Sequence, residues 1–299
     1  MSQVVFPGIP DDVDAVVTHG GCFDGFTARW VLADRWPDAE CVDGVYGTFP
    51  VFAPETARGT LVIADFSYPR DDMIRLADEW EHIIVLDHHK TAAKHLVDLP
   101  ANVACVFDMD RSGAGLVADW LDARYALVNY VEDRDLWRWE LPDSKEVAAV
   151  FGITPFTFED WSGLGYMLET RIGAVIARGE AVLARDKVII DELVGCARIM
   201  NIGGYQVPVT PSPYALGSDV AGKLAEADGV PFAAYYRDLP DRREFGLRSR
   251  KDGVDVSVIA ETYGGGGHPG ASGFRVSPGH YLYPTPGASA SVDWAGGVS

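Results

Sequence analysis

Through the first half of the chain, short apolar runs alternate with longer stretches whose apolar residues recur at helical spacing. That order marks strand–helix–strand units feeding a mainly parallel sheet. The segment "DAVVTHG" reads as a strand ending at Thr18 and His19, followed by a helix over "DGFTARWVLADRW". "AECVDGVY", "TLVIADF", "HIIVLDHH" and "NVACVFD" read as further strands, with helices over "RDDMIRLADEW" and "GAGLVADWLDARYALVNYVED". In a parallel sheet the loops leaving the C-terminal strand ends gather on one edge, where ligands bind. His19, Asp65 and Asp87 are therefore expected to share that edge.

From about Phe156 the texture changes to a long helical pattern, "GYMLETRIGAVIARGEAVLARDKVIIDELV", which exceeds an ordinary sheet crossover and reads as a connector. Mixed strands and helices follow over "CARIMNIGGYQVPVTP", "DVAGKLAEADGVPFAAYYRD", "REFGLRSR" and "VDVSVIAETYGGGGHPGASGFRV". The last residues are rich in Gly, Ser, Ala and Pro and are expected to form a tail outside the core. The expected architecture is α/β: a mainly parallel-sheet N-terminal domain (1–160), a long helical connector (161–196), a smaller mixed α/β C-terminal domain (197–277) and a tail (278–299).

With 299 residues and 47% hydrophobic composition, two ordinary domains can each bury a core. The 44 acidic against 25 basic residues, a formal charge of -19, repel polyanions at long range and argue against a protein that coats long nucleic acid. A small phosphorylated substrate held by local cations or metals is compatible with that charge. The four cysteines, Cys22, Cys41, Cys105 and Cys196, form no Cys-x-x-Cys pair, so neither a zinc knuckle nor a disulfide framework is expected. The N-terminus lacks the basic-then-apolar order of a signal peptide, no apolar run has the length of a membrane span, and the cytoplasm is the expected compartment.

Four segments deliver acids and imidazoles to the expected rim: "THGGCFDGF" with His19, Cys22 and Asp24; "VIADFS" with Asp65; "LDHH" with Asp87, His88 and His89; and "YVEDRDLW" with Asp133 and Asp135. Carboxylate plus imidazole without a thiolate cage suits Mn²⁺ or Mg²⁺, with Zn²⁺ as a further option. Adjacent histidines point to opposite sides of an extended chain, so His88 and His89 are expected to do different jobs. Near the C-terminus, Gly264, Gly265, Gly266 and Gly267 permit positive φ and let successive N–H groups face a phosphate, while His268 adds a donor.

The ordered set His19, Asp24-Gly25, Asp65, Asp87-His88-His89 and Asp133, followed by "GGGGHPGASGF", resembles the DHH phosphoesterase family with its DHH-associated C-terminal domain, over roughly residues 13–276. Members hydrolyse phosphoester or phosphoanhydride bonds with paired Mn²⁺. The resemblance implies one ion held by His19 and Asp65, and a second held by Asp24, Asp65, His88 and Asp133, with Asp65 bridging. Asp65, His88, His89 and Asp87 would carry the catalysis, Asp87 orienting an imidazole and His89 contacting a phosphoryl oxygen. Arg248 in "GLRSR" would join Gly265, Gly266, Gly267 and His268 in binding substrate. The family pattern usually has an Asp two residues before the one matched by Asp24. Here Cys22 stands there, and the spacing from His19 is one residue shorter. Cys22 reads as a small buried apolar residue beside a weak first site; the alternative is a thiolate ligand that softens that site.

Trp137 and Trp139 alternate with polar residues as half-buried packing aromatics do, Asp135 and Ser112 read as helix caps, and His82 and His95 as surface residues. The expected activity is metal-dependent cleavage of very short oligonucleotides or dinucleotides to mononucleotides, as in a nano-RNase, in a cleft between the two domains. The alternatives are a 3'-phosphatase acting on adenosine 3',5'-bisphosphate and a non-catalytic nucleotide-binding regulator. The expected partners are the nucleotide substrate and, as an open option, a second copy in a homodimer.

Overall fold

The structure, a computed structural model, describes residues 5–283. It comprises two compact units divided between Arg185 and Asp186. In the first, the chain runs β1 (Ala15–His19), α1 (Phe23–Arg35), β2 (Glu40–Gly44), β3 (Thr60–Ala64), α2 (Arg70–Glu79), β4 (His82–Asp87), α3 (Lys90–His95) and β5 (Val103–Phe107). The helices α4 (Gly113–Trp120), α5 (Ala126–Asp135), α6 (Ser144–Phe151), α7 (Phe158–Thr170) and α8 (Ile172–Gly195) follow. The five strands pair in the order β2-β1-β3-β4-β5, all parallel.

Strand β3 is buried along its whole length, as a central parallel strand covered on both faces must be. Its residues alternate between two cores. Val62 and Ala64 join Val16, Leu32, Leu86 and Val117 on one face. Leu61 and Ile63 join Val17, Met73, Leu76 and Trp80 on the other. Each such aliphatic contributes about 1.5–3 kcal/mol by leaving water, so the strand anchors whatever its C-terminal end carries. A third cluster, including Leu127, Val131, Val147, Phe151, Trp161 and Val175, ties α5, α6 and α7 to the start of α8. Because β1 pairs with β2 on one side and β3 on the other, the connections leaving β1 and β3 diverge and open a crevice at the sheet's C-terminal edge.

Two expected helices are each broken in two. Between α4 and α5 the chain turns through Asp122 at φ 50°. Between α7 and α8, Arg171 adopts φ -147° and the Thr170 hydroxyl bonds back to the Tyr166 carbonyl, a local alternative to the helical ladder.

The second unit contains the end of α8, then β6 (Arg198–Ile202), β7 (Tyr205–Pro211), α9 (Tyr214–Ala225), β8 (Ala233–Asp238), β9 (Arg243–Arg248), α10 (Val256–Glu261), β10 (Gly266–His268) and β11 (Ala271–Val276). The six strands run in the order β10-β11-β9-β8-β7-β6, and only the β7–β8 pair is parallel. Gly203 and Gly204, at φ 58° and 87°, supply the two-residue turn of the β6–β7 hairpin. One core gathers Val207, Val209, Phe232, Leu247, Phe245 and Phe274, and a smaller one joins Val220, Leu224 and Ala233 to Ile190 and Leu193 of α8. The expected tail from residue 278 begins inside this core: Leu282 is buried and its carbonyl accepts from Arg243 Nη1 at 2.9 Å. The remainder of that tail, 284–299, lies outside the described residues. Among the described residues no helix is long and apolar enough to cross a membrane.

Candidate metal centre

The crevice of the first unit collects side chains from four elements. His19 ends β1, Asp24 lies in the first turn of α1, Asp65 follows β3, and Asp87, His88 and His89 follow one another from the end of β4. Asp65 leaves its strand at φ 55°, a left-handed conformation that Asp tolerates better than most residues. That turn is accommodated by Gly113: a Cβ there would stand 2.3 Å from Asp65 Cβ. Gly25 allows an equally close approach to His19, whose carbonyl oxygen would lie 2.4 Å from an added Cβ.

Asp65 is 1% exposed and reaches in two directions. Its Oδ1 is 3.1 Å from His88 Nε2, and its Oδ2 is 3.8 Å from His19 Nδ1. Oδ2 is buried with no hydrogen-bond partner among the described residues. An orphaned carboxylate oxygen of this kind costs free energy unless something cationic meets it. His88 Nε2 also lies 3.8 Å from Asp24 Oδ2 and 3.6 Å from Asp135 Oδ2. Within this unit, three sets of donor atoms each lie within 4.8 Å of one another: His19, Cys22 and Asp65; Asp24, His88 and Asp135; and Asp65, Asp87, His88 and His89.

Around these, other contacts hold the donors in place. Asp24 accepts the N–H groups of Gly113 at 2.6 Å and Ala114 at 3.0 Å, so it caps α4 while facing His88. Asp87 takes the His88 N–H at 2.8 Å, the His89 ring Nδ1 at 2.6 Å and the Ser67 hydroxyl at 2.6 Å. The two imidazoles have different partners: His88 Nε2 is turned toward Asp65, and His89 Nδ1 is paired with Asp87.

The electrostatics follow from crowding acids in a buried place. Burial, then the neighbouring Asp24, push the Asp65 carboxyl well above the usual carboxylate range. The same two causes raise Asp135 to about 6 against the pull of His88. Burial would raise Asp87 too, but the His89 charge and the hydrogen bonds from His89 and Ser67 outweigh it and hold that carboxyl at about 2. Burial and the His89 charge lower His19 to about 4, leaving it a neutral imidazole with a lone pair for a ligand. Burial, with Asp135 and Asp24 nearby, pushes the Cys22 thiol up to about 12.

One expected ligand is not brought to the centre. The Asp133 carboxylate accepts from the N–H groups of Glu140 at 2.9 Å and Leu141 at 3.3 Å and from the Ser144 hydroxyl, where it organises the loop before α6. Asp135, expected to be a cap, stands at the centre instead. Residues two apart on a helix point about 200° apart, so only one of the pair can face His88. A signal for Asp135 was present: it is the last residue of α5, where the helix dipole disfavours a carboxylate. Ser67 and Tyr46, whose ring meets that of His19 edge-on with centroids 5.5 Å apart, also belong to the site and were not read from the sequence.

In the second unit, the expected phosphate-binding glycines divide into two kinds. Gly264 and Gly267 have positive φ, 74° and 140°. Gly265 does not serve as an amide donor to a ligand: its N–H is bonded to the Ala260 carbonyl at 2.9 Å, and a Cβ would stand 2.1 Å from the Gly273 carbonyl oxygen. Its smallness serves strand packing. His268 is opposite Ala271, which is opposite Arg248, so the three share one face of the sheet with the small pairs Gly266–Gly273 and Gly273–Gly246 beside them. Arg248 Nη2 donates to the Ser218 hydroxyl at 2.5 Å. Elsewhere, Ser112 caps α4 as expected, Arg111 is engaged by Glu132 and Asp119, and Trp137, 51% exposed, lies edge-on against Trp139, which packs on the third cluster.

No family model matches the chain. The uncharacterized protein R106 of Acanthamoeba polyphaga mimivirus is 26% identical, over 89% of this chain and 68% of that one. Among solved structures, the chain is similar to a pGpG-specific phosphodiesterase from Vibrio, with 12% identity and a TM-score of 0.43 over 88% of this chain and 93% of that one. It is also similar to the exonuclease RecJ bound to manganese, with 16% identity and a TM-score of 0.45 over 88% of this chain and 85% of that one.

Proposed function

We propose that the chain is a metal-dependent phosphoesterase of the DHH type that hydrolyses very short oligonucleotides or dinucleotides to mononucleotides. The observation that carries this reading is Asp65: a buried carboxylate at a parallel-sheet switch point, with one oxygen toward His88 and the other, which has no hydrogen-bond partner among the described residues, toward His19. Hard oxygen and imidazole donors in that arrangement fit a pair of Mn²⁺ or similar ions. Bound there, such ions would supply an activated water and neutralise charge developing on the phosphoryl oxygens.

The chain's own residues have separate tasks in this reading. His19 and Asp65 would hold one ion, and Asp24, Asp65, His88 and Asp135 the other. Asp87 fixes the ring of His89; burial alone would lower the His89 pKa, but the charge and hydrogen bond of Asp87, with Asp135 and Asp24 nearby, together raise it, so that His89 donates to a phosphoryl oxygen.

Purified protein assayed with Mn²⁺ on di- to decanucleotides, cyclic dinucleotides and adenosine 3',5'-bisphosphate tests the reading. Dinucleotide turnover is expected, with rates falling steeply beyond a few nucleotides and lost in Asp65→Asn and His88→Ala. Turnover of the bisphosphate alone would make the protein a 3'-phosphatase. Tight nucleotide binding with every substrate left intact would make it a regulator, and processive digestion of long strands would contradict the short-substrate assignment.

A further inference from the structure

Two of the donor sets at the centre differ in kind. Asp24, His88 and Asp135 offer two carboxylates and an imidazole, whereas His19, Cys22 and Asp65 offer an imidazole, a sulfur and a carboxylate. Cys22 occupies the N-cap position of α1; its sulfur makes no full capping hydrogen bond there, although the N–H groups of Asp24 and Gly25 lie toward it. Its sulfur shares a sphere of 4.8 Å with His19 and Asp65, and the buried Asp65 Oδ2, which has no hydrogen-bond partner among the described residues, is turned toward the same set. The turn through Gly21 at φ 69° precedes Cys22 directly.

We propose that Cys22 is a thiolate ligand of the first ion, making this site an imidazole–thiolate–carboxylate set that selects a borderline ion such as Zn²⁺, Co²⁺ or Fe²⁺, while the second site keeps its preference for a hard ion. The inference rests on the two-ion reading of the centre and adds to it an unequal pair. Ligation replaces the S–H bond by an S–metal bond, and the thiol proton passes to solvent. Sulfur is a poor partner for Mg²⁺ and Mn²⁺ and a good one for the softer ions, so the first site discriminates by ligand type. A preparation supplied with Mn²⁺ alone is expected to be filled at the second site first.

Titration of the metal-free protein with Co²⁺, followed by absorbance and by isothermal calorimetry, decides the matter without an activity readout. Wild type is expected to bind two equivalents and to develop a thiolate-to-cobalt charge-transfer band. The band is expected to persist when the other cysteines are removed (Cys41→Ser, Cys105→Ala, Cys196→Ser). It is expected to vanish, with the loss of one equivalent, in Cys22→Ser. The three-cysteine variant leaves position 22 untouched, so a poorly folded Cys22→Ser cannot mask the result. Two bound equivalents without the band, or a band that survives in Cys22→Ser, would overturn the thiolate assignment and leave the two-ion reading standing. Absence of any bound ion would overturn both. Alkylation of Cys22, read by mass spectrometry, is expected to be slowed at least tenfold by Zn²⁺ and far less by Mn²⁺; equal rates would count against the assignment.

Discussion

Asp65 carries opposed demands: it is buried among like charges, it is held in a left-handed turn, and one of its oxygens has no hydrogen-bond partner among the described residues. In the metal-free protein the charge is a liability. Asp65→Asn keeps the shape, tolerates the same backbone conformation and removes the repulsion from Asp24, Asp87 and Asp135. It is expected to raise metal-free stability by ~1 kcal/mol, about 2–4 °C in midpoint, while abolishing the further rise that Mn²⁺ gives wild type. The pH dependence has a definite sign. Because the folded pKa is raised, wild type keeps this contribution below the unfolded value of about 4 and loses it as pH climbs through the folded value. The gap between wild type and Asp65→Asn is therefore expected to open with rising pH in thermal melts, and a gap that closes would refute the account.

At the scale of the element, α5 presents two acids with different work. Asp133→Ala removes hydrogen bonds to Glu140, Leu141 and Ser144 from a buried carboxylate and is expected to cost roughly 2–4 kcal/mol in urea melts while leaving ion binding intact. Asp135→Ala is expected to change stability little and to weaken the second ion at least about tenfold by calorimetry. Reversed outcomes would restore Asp133 as the ligand. The sequence could not separate the two, because a motif gives positions along a chain and not which side of a helix faces the sheet. The strands were legible for the opposite reason. Runs such as Leu61-Val62-Ile63 are apolar at every position, which few surroundings other than a covered parallel sheet accommodate, and their C-terminal ends then place His19, Asp65 and Asp87 without further information. Helix breaks were not legible, since a short turn (121–125, through Asp122) or a single residue, Arg171, divides a pattern whose periodicity continues on both sides. The glycine segment was half legible. Its composition announced close backbone approach, but not that Gly265 spends it on the carbonyl of Gly273.

For the molecule as a whole, the formal charge of -19 bears on length selectivity. An acidic protein gains little from counterion release on a polyanion, so a long labelled single strand is expected to bind weakly at every ionic strength and without the steep salt slope of a basic nucleic-acid binder. Fluorescence anisotropy across a salt series measures this directly, and a strongly salt-dependent, tight complex would show that a basic track exists. The long helix α8 has a consequence of another kind. Its start contributes Val175 to the third cluster of the first unit, and its end sends Ile190 and Leu193 into a core of the second. The boundary between the units, at Arg185 and Asp186, falls inside continuous helix. Splitting the gene there would give two pieces that each keep their apolar contacts but acquire a raw helix end, with carbonyls bared on one fragment and amides on the other. The units are separable as cores and not as polypeptides, so an expression boundary must overlap along α8, each fragment carrying enough of the helix to cap its own end.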